Sequence, residues 1–192
     1  MKALTIWQPW ASLIMVGAKP YEFRRWDFRA REARLVGERI VIHAGTRPAK
    51  LDEVEDVIAD GRGGVAQDVG APLLKRLAAA LRQERADMAP YRAAMAAYRA
   101  RQRRPRMVGD GEPVEPIKPN GQTLPLACGL GTAKLLKPRK CTALFGGRPD
   151  AGEIDLDMWA WPLAELAPFA APIPCRGAQG FWDWPFREER VA

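Results

Sequence analysis

Residues 4–24 read LTIWQPWASLIMVGAKPYEFR, and the changes of pattern inside this stretch decide the fold class. Across Ala3–Trp7 the side chains alternate, so a strand there places Leu4 and Ile6 on one face. Pro9 suits the first turn of a short helix, where no backbone N–H is needed, and Gly17 can end that helix in a left-handed backbone conformation that a Cβ disfavours. Lys19 therefore follows a helix end. Glu22, Arg24 and Trp26 recur at every second position, so an extended segment projects them together while Phe23 and Arg25 face the other way. The stretch predicts strand, helix, strand, with a charged group gathered where the helix gives way to extended chain.

Downstream, RIVIH over residues 39–43 reads as a strand with Ile40 and Ile42 opposite Val41 and His43. Residues 51–59 suggest a short acidic helix, followed by the glycine-rich run 60–64. Amphipathic spacing then favours helix over 71–104, with Pro90 either opening a second helix or kinking one long one. Arg85, Arg92, Arg99 and Arg106 stand seven residues apart, so they share one stripe if the helix is continuous. After a proline-bearing connector over 107–122, strand-like pieces return at 124–130, 133–136, 159–163 and 180–184, with Pro162 and Pro174 marking strand ends or edges. Short strands on both sides of a helical excursion predict an α+β fold, mainly β: one domain over residues 1–192 built as a small closed or nearly closed β-fold with a helical insertion.

Composition bounds the function. The 192 residues carry a formal charge of +7, yet residues 75–106 alone hold ten Lys or Arg against Glu84 and Asp87, so the remainder is close to neutral. Any attraction to a polyanion therefore resides on the middle segment. Cys128, Cys141 and Cys175 are widely spaced and odd in number, which argues against a disulfide framework and against a zinc site. No metal or cofactor is expected. His43, the only histidine, reads as a structural residue at a strand end. No signal-peptide core or membrane-length apolar run is seen, so a cytoplasmic protein without membrane contact is expected.

The opening stretch resembles the start of ASCH domains, a branch of the PUA-like superfamily, through Trp7, Gln8, Pro9, Trp10, Ala11, Gly17, Lys19, Glu22 and Arg24. RIVIHAG (39–45), LPLACGLGTAKL (124–135), WAWPL (159–163) and PIPCRGAQGFWDW (172–184) resemble the family in the same order. The resemblance implies a small PUA-like β-barrel with flanking helices and a cleft associated with RNA or modified bases. The family's lysine maps to Lys19 through the pattern Gly17-x-Lys19-x-x-Glu22-x-Arg24. Some members remove an acyl group from a modified cytidine, and others resemble ribonucleases. The compact amidohydrolases carry threonine where this chain has Glu22, so their mechanism does not carry over directly. Residues 51–118 are poorly covered by the resemblance and read as an insertion and connector atypical of the family, helical mainly at 71–104.

The candidate catalytic residues are Lys19, to bind phosphate or polarise a carbonyl, Glu22, to accept a proton, and Arg24, whose planar fork suits phosphate. A rim salt-bridge cluster is the structural alternative. Trp10 and Trp26 are the candidate stacking rings, whereas Trp7, Trp159 and Trp182 read as core. Arg176 and Gln179, in a loop opened by Gly177 and Gly180, are candidate contacts to phosphate and base edge. Arg85, Arg92, Arg99 and Arg106 are the candidate contacts to a nucleic-acid backbone. The expected function is binding of RNA or a modified nucleoside or nucleotide through a barrel-side cleft, with DNA as another candidate polymer. The alternatives are a ribonuclease cleaving a phosphodiester and, behind it, an amidohydrolase acting on acylated cytidine.

Overall fold

The computed structural model describes residues 1–25, 27, 32–60, 67–103, 114–116, 124–145 and 157–186. Trp26 and Arg106 lie outside the described residues. In chain order the elements are β1 (Lys2–Ile6), α1 (Trp10–Met15), β2 (Tyr21–Arg24), a 3-10 turn (Ala33–Leu35), β3 (Arg39–Ala44), α2 (Leu51–Asp60), α3 (Gln67–Gln102), β4 (Cys128–Leu135), β5 (Arg139–Lys140), α4 (Cys141–Phe145), β6 (Trp159–Pro174) and β7 (Phe181–Asp183).

The strands pair in the order β2-β6-β4-β3-β1-β7, with β5 added to β6. β1 and β3 are parallel, and the other neighbours run antiparallel. A parallel pair needs a crossover, which α1 and β2 supply. The sheet curls until its two margins touch. Arg24 on edge strand β2 donates through Nη2 to the Thr5 carbonyl of β1 at 3.2 Å. Trp161 of β6 stacks on Phe181 of the opposite edge, β7, with centroids 5.6 Å apart and planes 5° from parallel. The result is a mixed α+β fold with a curled sheet and flanking helices.

Strand alternation sorts the side chains between two environments. Leu4 and Ile6 of β1 join Ile40, Ile42 and Ala44 of β3, Trp161, and the α1 residues Ala11, Ile14 and Met15 in the main core. Ala3 and Val41 face the other way, against Trp184. Gln8 locks the entry to α1: its side-chain carbonyl accepts the Ser12 N–H at 3.2 Å, and its amide donates to the Pro125 carbonyl at 2.9 Å. Gly17, at φ 77°, ends the helix as the sequence implies.

β6 corrects the expectation that Pro162 marks a strand end, since it continues to Pro174. Pro162 pairs with Tyr21, and its carbonyl accepts the Leu136 N–H at 2.9 Å. Pro168 opposes Gly131 beside a register shift in the β4–β6 ladder, where a missing N–H interrupts nothing regular. The two strand pieces expected over 124–136 are one strand, β4.

Helix is a larger share than a mainly-β reading implies, because α3 alone runs 36 residues. It continues through Pro90, so Arg85, Arg92 and Arg99 lie on one continuous helix. Leu74, Ala78 and Leu81 of α3 close on Val54 and Val57 of α2 and on Leu13 of α1, forming a second core. Beyond Leu81 none of the remaining α3 side chains is buried. No helix among the described residues is long and apolar enough to cross a membrane.

Leu74 is 1% exposed at the centre of this second core. Leu74→Ala should lower the unfolding free energy by about 2–4 kcal/mol, whereas Ala94→Gly in the exposed half should cost only about 1 kcal/mol. Urea unfolding checks both; equal effects would show that the docked half of α3 is not what holds the helix.

Candidate functional site

The ends of β1 and β3, the edge strand β2 and the loop between β6 and β7 enclose a cleft of about 720 Å³, lined among others by Trp7, Arg24, Glu32, Arg176 and Gln179. Residues at the beginning and end of the chain thus share one wall. The curl of the sheet accounts for this, because β7 pairs with β1 and carries the preceding loop beside it.

Of the charged group in the opening stretch, Arg24 alone lines this cleft. Its Nη2 lies 3.1 Å from Glu22 Oε1, and its Nε is buried without a hydrogen-bond partner among the described residues. Glu22 is 8% exposed and also faces Lys19 Nζ at 3.7 Å. Lys19, 3% exposed, donates to the Tyr21 carbonyl and sits 4.4 Å from the Phe23 ring centroid and 5.8 Å from that of Trp10. Burial pushes the Lys19 amine below its ordinary range, against the pull of the Glu22 carboxylate. Lys19 and Glu22 are therefore the support behind Arg24, not part of the cleft wall.

The aromatic residues exchange the places their sequence suggests. Trp10 is half-buried between the two larger cores and does not line the cleft. Trp7, read from the sequence as core, is 56% exposed on the cleft wall. The Arg47 guanidinium stacks on it at 4.5 Å from the ring centroid and is itself held by Glu53. Its placement at the first position past β1, with Gly45 beneath it, carries the ring out of the core. Arg176 and Gln179 are both exposed, and neither side chain makes a hydrogen bond or ion pair among the described residues.

Two wall residues had no sequence signal as a pair. Thr5 and His43 stand opposite each other in the parallel β1–β3 register, and both line the cleft. His43 is 1% exposed; its Nδ1 is 3.3 Å from Thr5 Oγ1 and its Nε2 is 2.9 Å from the Cys175 carbonyl. Burial lowers its pKa against the opposing effect of that carbonyl. Glu32, also on the wall, is buried but preceded by no recognisable pattern.

A second cleft of about 580 Å³ meets the first at Thr46 and is lined by Lys50, Arg85 and Arg92, together with Asp52, Glu84 and apolar residues of α3. Arg99 lies further along the helix and does not line it. Among the described residues no cluster of three or more His, Cys, Asp or Glu is placed to hold a metal ion.

The buried His43 links stability to pH. Its folded pKa lies below the ordinary imidazole value, so on acidification the unfolded chain takes up this proton first. The stability it contributes is complete above about pH 6.5 and is lost as the pH falls through the lowered folded value. Urea unfolding at pH 7.5 and pH 5 should show a loss in the wild type that is reduced in His43→Gln; an identical loss in both would exclude His43 as its source.

No family model and no curated protein matches the chain. Among solved structures, the chain is similar to the crystal structure of ASCH from Zymomonas mobilis, with 14% identity over 98% of this chain and 89% of that one and a TM-score of 0.42.

Proposed function

We propose that the cleft binds a nucleotide, free or within RNA, as a PUA-like domain would. The observation that carries this reading is the convergence of Trp7, Arg24, Arg176 and Gln179 on one cleft. Each supplies a different part of nucleotide recognition. An exposed indole offers a stacking face for a base, two guanidinium groups suit phosphate, and a side-chain amide can pair with a base edge. The volume of about 720 Å³ is that of a small-molecule site. Arg24 arrives with its guanidinium oriented by Glu22 and by the Thr5 carbonyl, so little rotamer freedom remains to be lost on binding.

Binding is favoured over cleavage because Lys19 and Glu22 are buried against each other behind Arg24. The ribonuclease scheme needs both at the reacting atoms, and the amidohydrolase scheme needs Lys19 there. Mass analysis of RNA and acylated cytidine after incubation separates the readings: unchanged masses with saturable binding support the module, new RNA ends a ribonuclease, and loss of the acyl mass an amidohydrolase.

Trp7→Ala and Arg176→Ala change exposed side chains, so each should leave the melting temperature nearly unchanged while weakening nucleotide affinity about tenfold. Trp10→Ala should instead lower stability. Unaltered affinity in both cleft variants would remove the site. For polymer binding, the distal arginines act as retention charges. Replacing Arg85, Arg92 and Arg99 together by alanine should reduce the slope of log affinity against log salt for single-stranded RNA by about two; an unchanged slope would exclude α3 from the contact.

A further inference from the structure

The polar floor of the cleft has a hydrogen-bond direction fixed by its own connectivity. The Cys175 carbonyl can only accept, so His43 Nε2, 2.9 Å away, must carry a proton and donate it. In the neutral ring Nδ1 is then the acceptor. Thr5 Oγ1, at 3.3 Å from Nδ1, must point its single proton at the ring. Trp182 Nε1, which can only donate, gives its proton to the same Thr5 oxygen at 3.1 Å. Its ring meets that of His43 edge to face with centroids 5.3 Å apart, so both neighbours of Thr5 are held in place.

A hydroxyl has one proton and two acceptor positions. The proton of Thr5 is committed to His43 and one acceptor position to Trp182, which leaves one acceptor position and no donor. Thr5 is partly exposed on the cleft wall, so this remaining position is available to a ligand. Gly177 keeps it so. A Cβ at that position would fall 2.8 Å from Thr5 Oγ1 and 2.5 Å from His43 Cε1, covering the pair.

We infer that Thr5 Oγ1 is a fixed hydrogen-bond acceptor that selects ligands whose base presents an exocyclic amino group, an inference that rests on the nucleotide-binding reading of the cleft. Arg24 and Arg176 are donors only and serve phosphate or carbonyl oxygens equally well on any nucleotide. Gln179 is exposed and can turn its amide either way. The Thr46 hydroxyl is exposed and free to rotate, and the Glu32 carboxylate is buried and already engaged. Thr5 is thus a wall side chain whose polarity is set before the ligand arrives. A base with a keto oxygen directed at this position would meet two acceptors face to face and leave both unpaired. His43 acts through Thr5 and is a positioning residue.

Calorimetric titration with matched ribonucleotides tests this directly. Adenosine monophosphate is compared with the purine monophosphate that carries hydrogen in place of the amino group, and cytidine monophosphate with its 2-pyrimidinone counterpart. In the wild type the amino-bearing member of at least one pair should bind about tenfold more tightly. Thr5→Val, which keeps the shape and removes the acceptor, should bring that ratio close to one, and Thr5→Ser should retain the preference. Equal affinities within both pairs for the wild type, or a preference that survives Thr5→Val, would overturn the inference and leave nucleotide binding standing. Absence of binding by all four nucleotides would overturn the nucleotide reading and this inference together. Should Thr5→Val fail to fold, equal wild-type affinities within both pairs still overturn the inference.

Discussion

A carboxylate held between two cations organises the mouth of this fold. Glu22 is nearly buried, and an isolated charge in that position would cost several kcal/mol in lost hydration. Lys19 on one side and Arg24 on the other offset that cost, and their geometry has structural consequences. Lys19 ties the carboxylate to the chain leaving α1. Arg24 reaches from edge strand β2 to the Thr5 carbonyl of β1, a strand at the far side of the sheet order. The arrangement that satisfies a buried charge therefore also helps draw the two margins of the sheet together, and it leaves the Arg24 guanidinium on the cleft wall with one buried N–H unpaired among the described residues.

The parallel pair β1–β3 makes a core and a cleft from the same residues. One face carries Leu4, Ile6, Ile40 and Ile42 into the main core. The opposite face begins with Ala3 and Val41 against Trp184, then continues to Thr5 and His43, which open on the cleft. A polar pair on that face is tolerated because every group in it has a partner: Trp182 and His43 satisfy Thr5, and the Cys175 carbonyl satisfies the far side of the ring. Since one slip of register would exchange the faces, the packing of the isoleucines is also what holds the cleft floor in position.

Period-two spacing made the strand faces legible in the sequence: Ile40 and Ile42 in the core, Glu22 and Arg24 projecting together. Gly17 as a helix end was legible for an equally local reason. The Trp7 and Trp10 assignments were not, because hydrophobicity gives an indole the same value whether it packs in a core or covers a cleft. Their places follow from where β1 stops and from which side α1 turns, and both are tertiary facts. The length of β6 was hidden by its prolines, whose compatibility with the ladder depends on irregular pairing with β4. The meeting of Arg24 with Arg176 and Gln179 follows from an expected closure of the strands, because the opening of a closed sheet brings distant chain segments together. Thr5 and His43 were invisible as a pair because they lie 38 residues apart and meet only through the β1–β3 register.

Charge and specificity separate along α3. Its docked part ends near Leu81, and Arg85 and Arg92 follow at the second cleft, which joins the first at Thr46. Arg99 stands 14 residues beyond Arg85, or about 21 Å along a helix rising 1.5 Å per residue. At physiological ionic strength exposed charges are largely screened beyond about 8 Å. Arg99 therefore adds almost nothing to the potential inside the cleft and cannot orient a single nucleotide there. On the proposed reading Arg99 serves only a ligand long enough to reach it, so a basic helix of this length would be of use to a cleft that reads one nucleotide of a polymer and of little use to one that binds the free monomer.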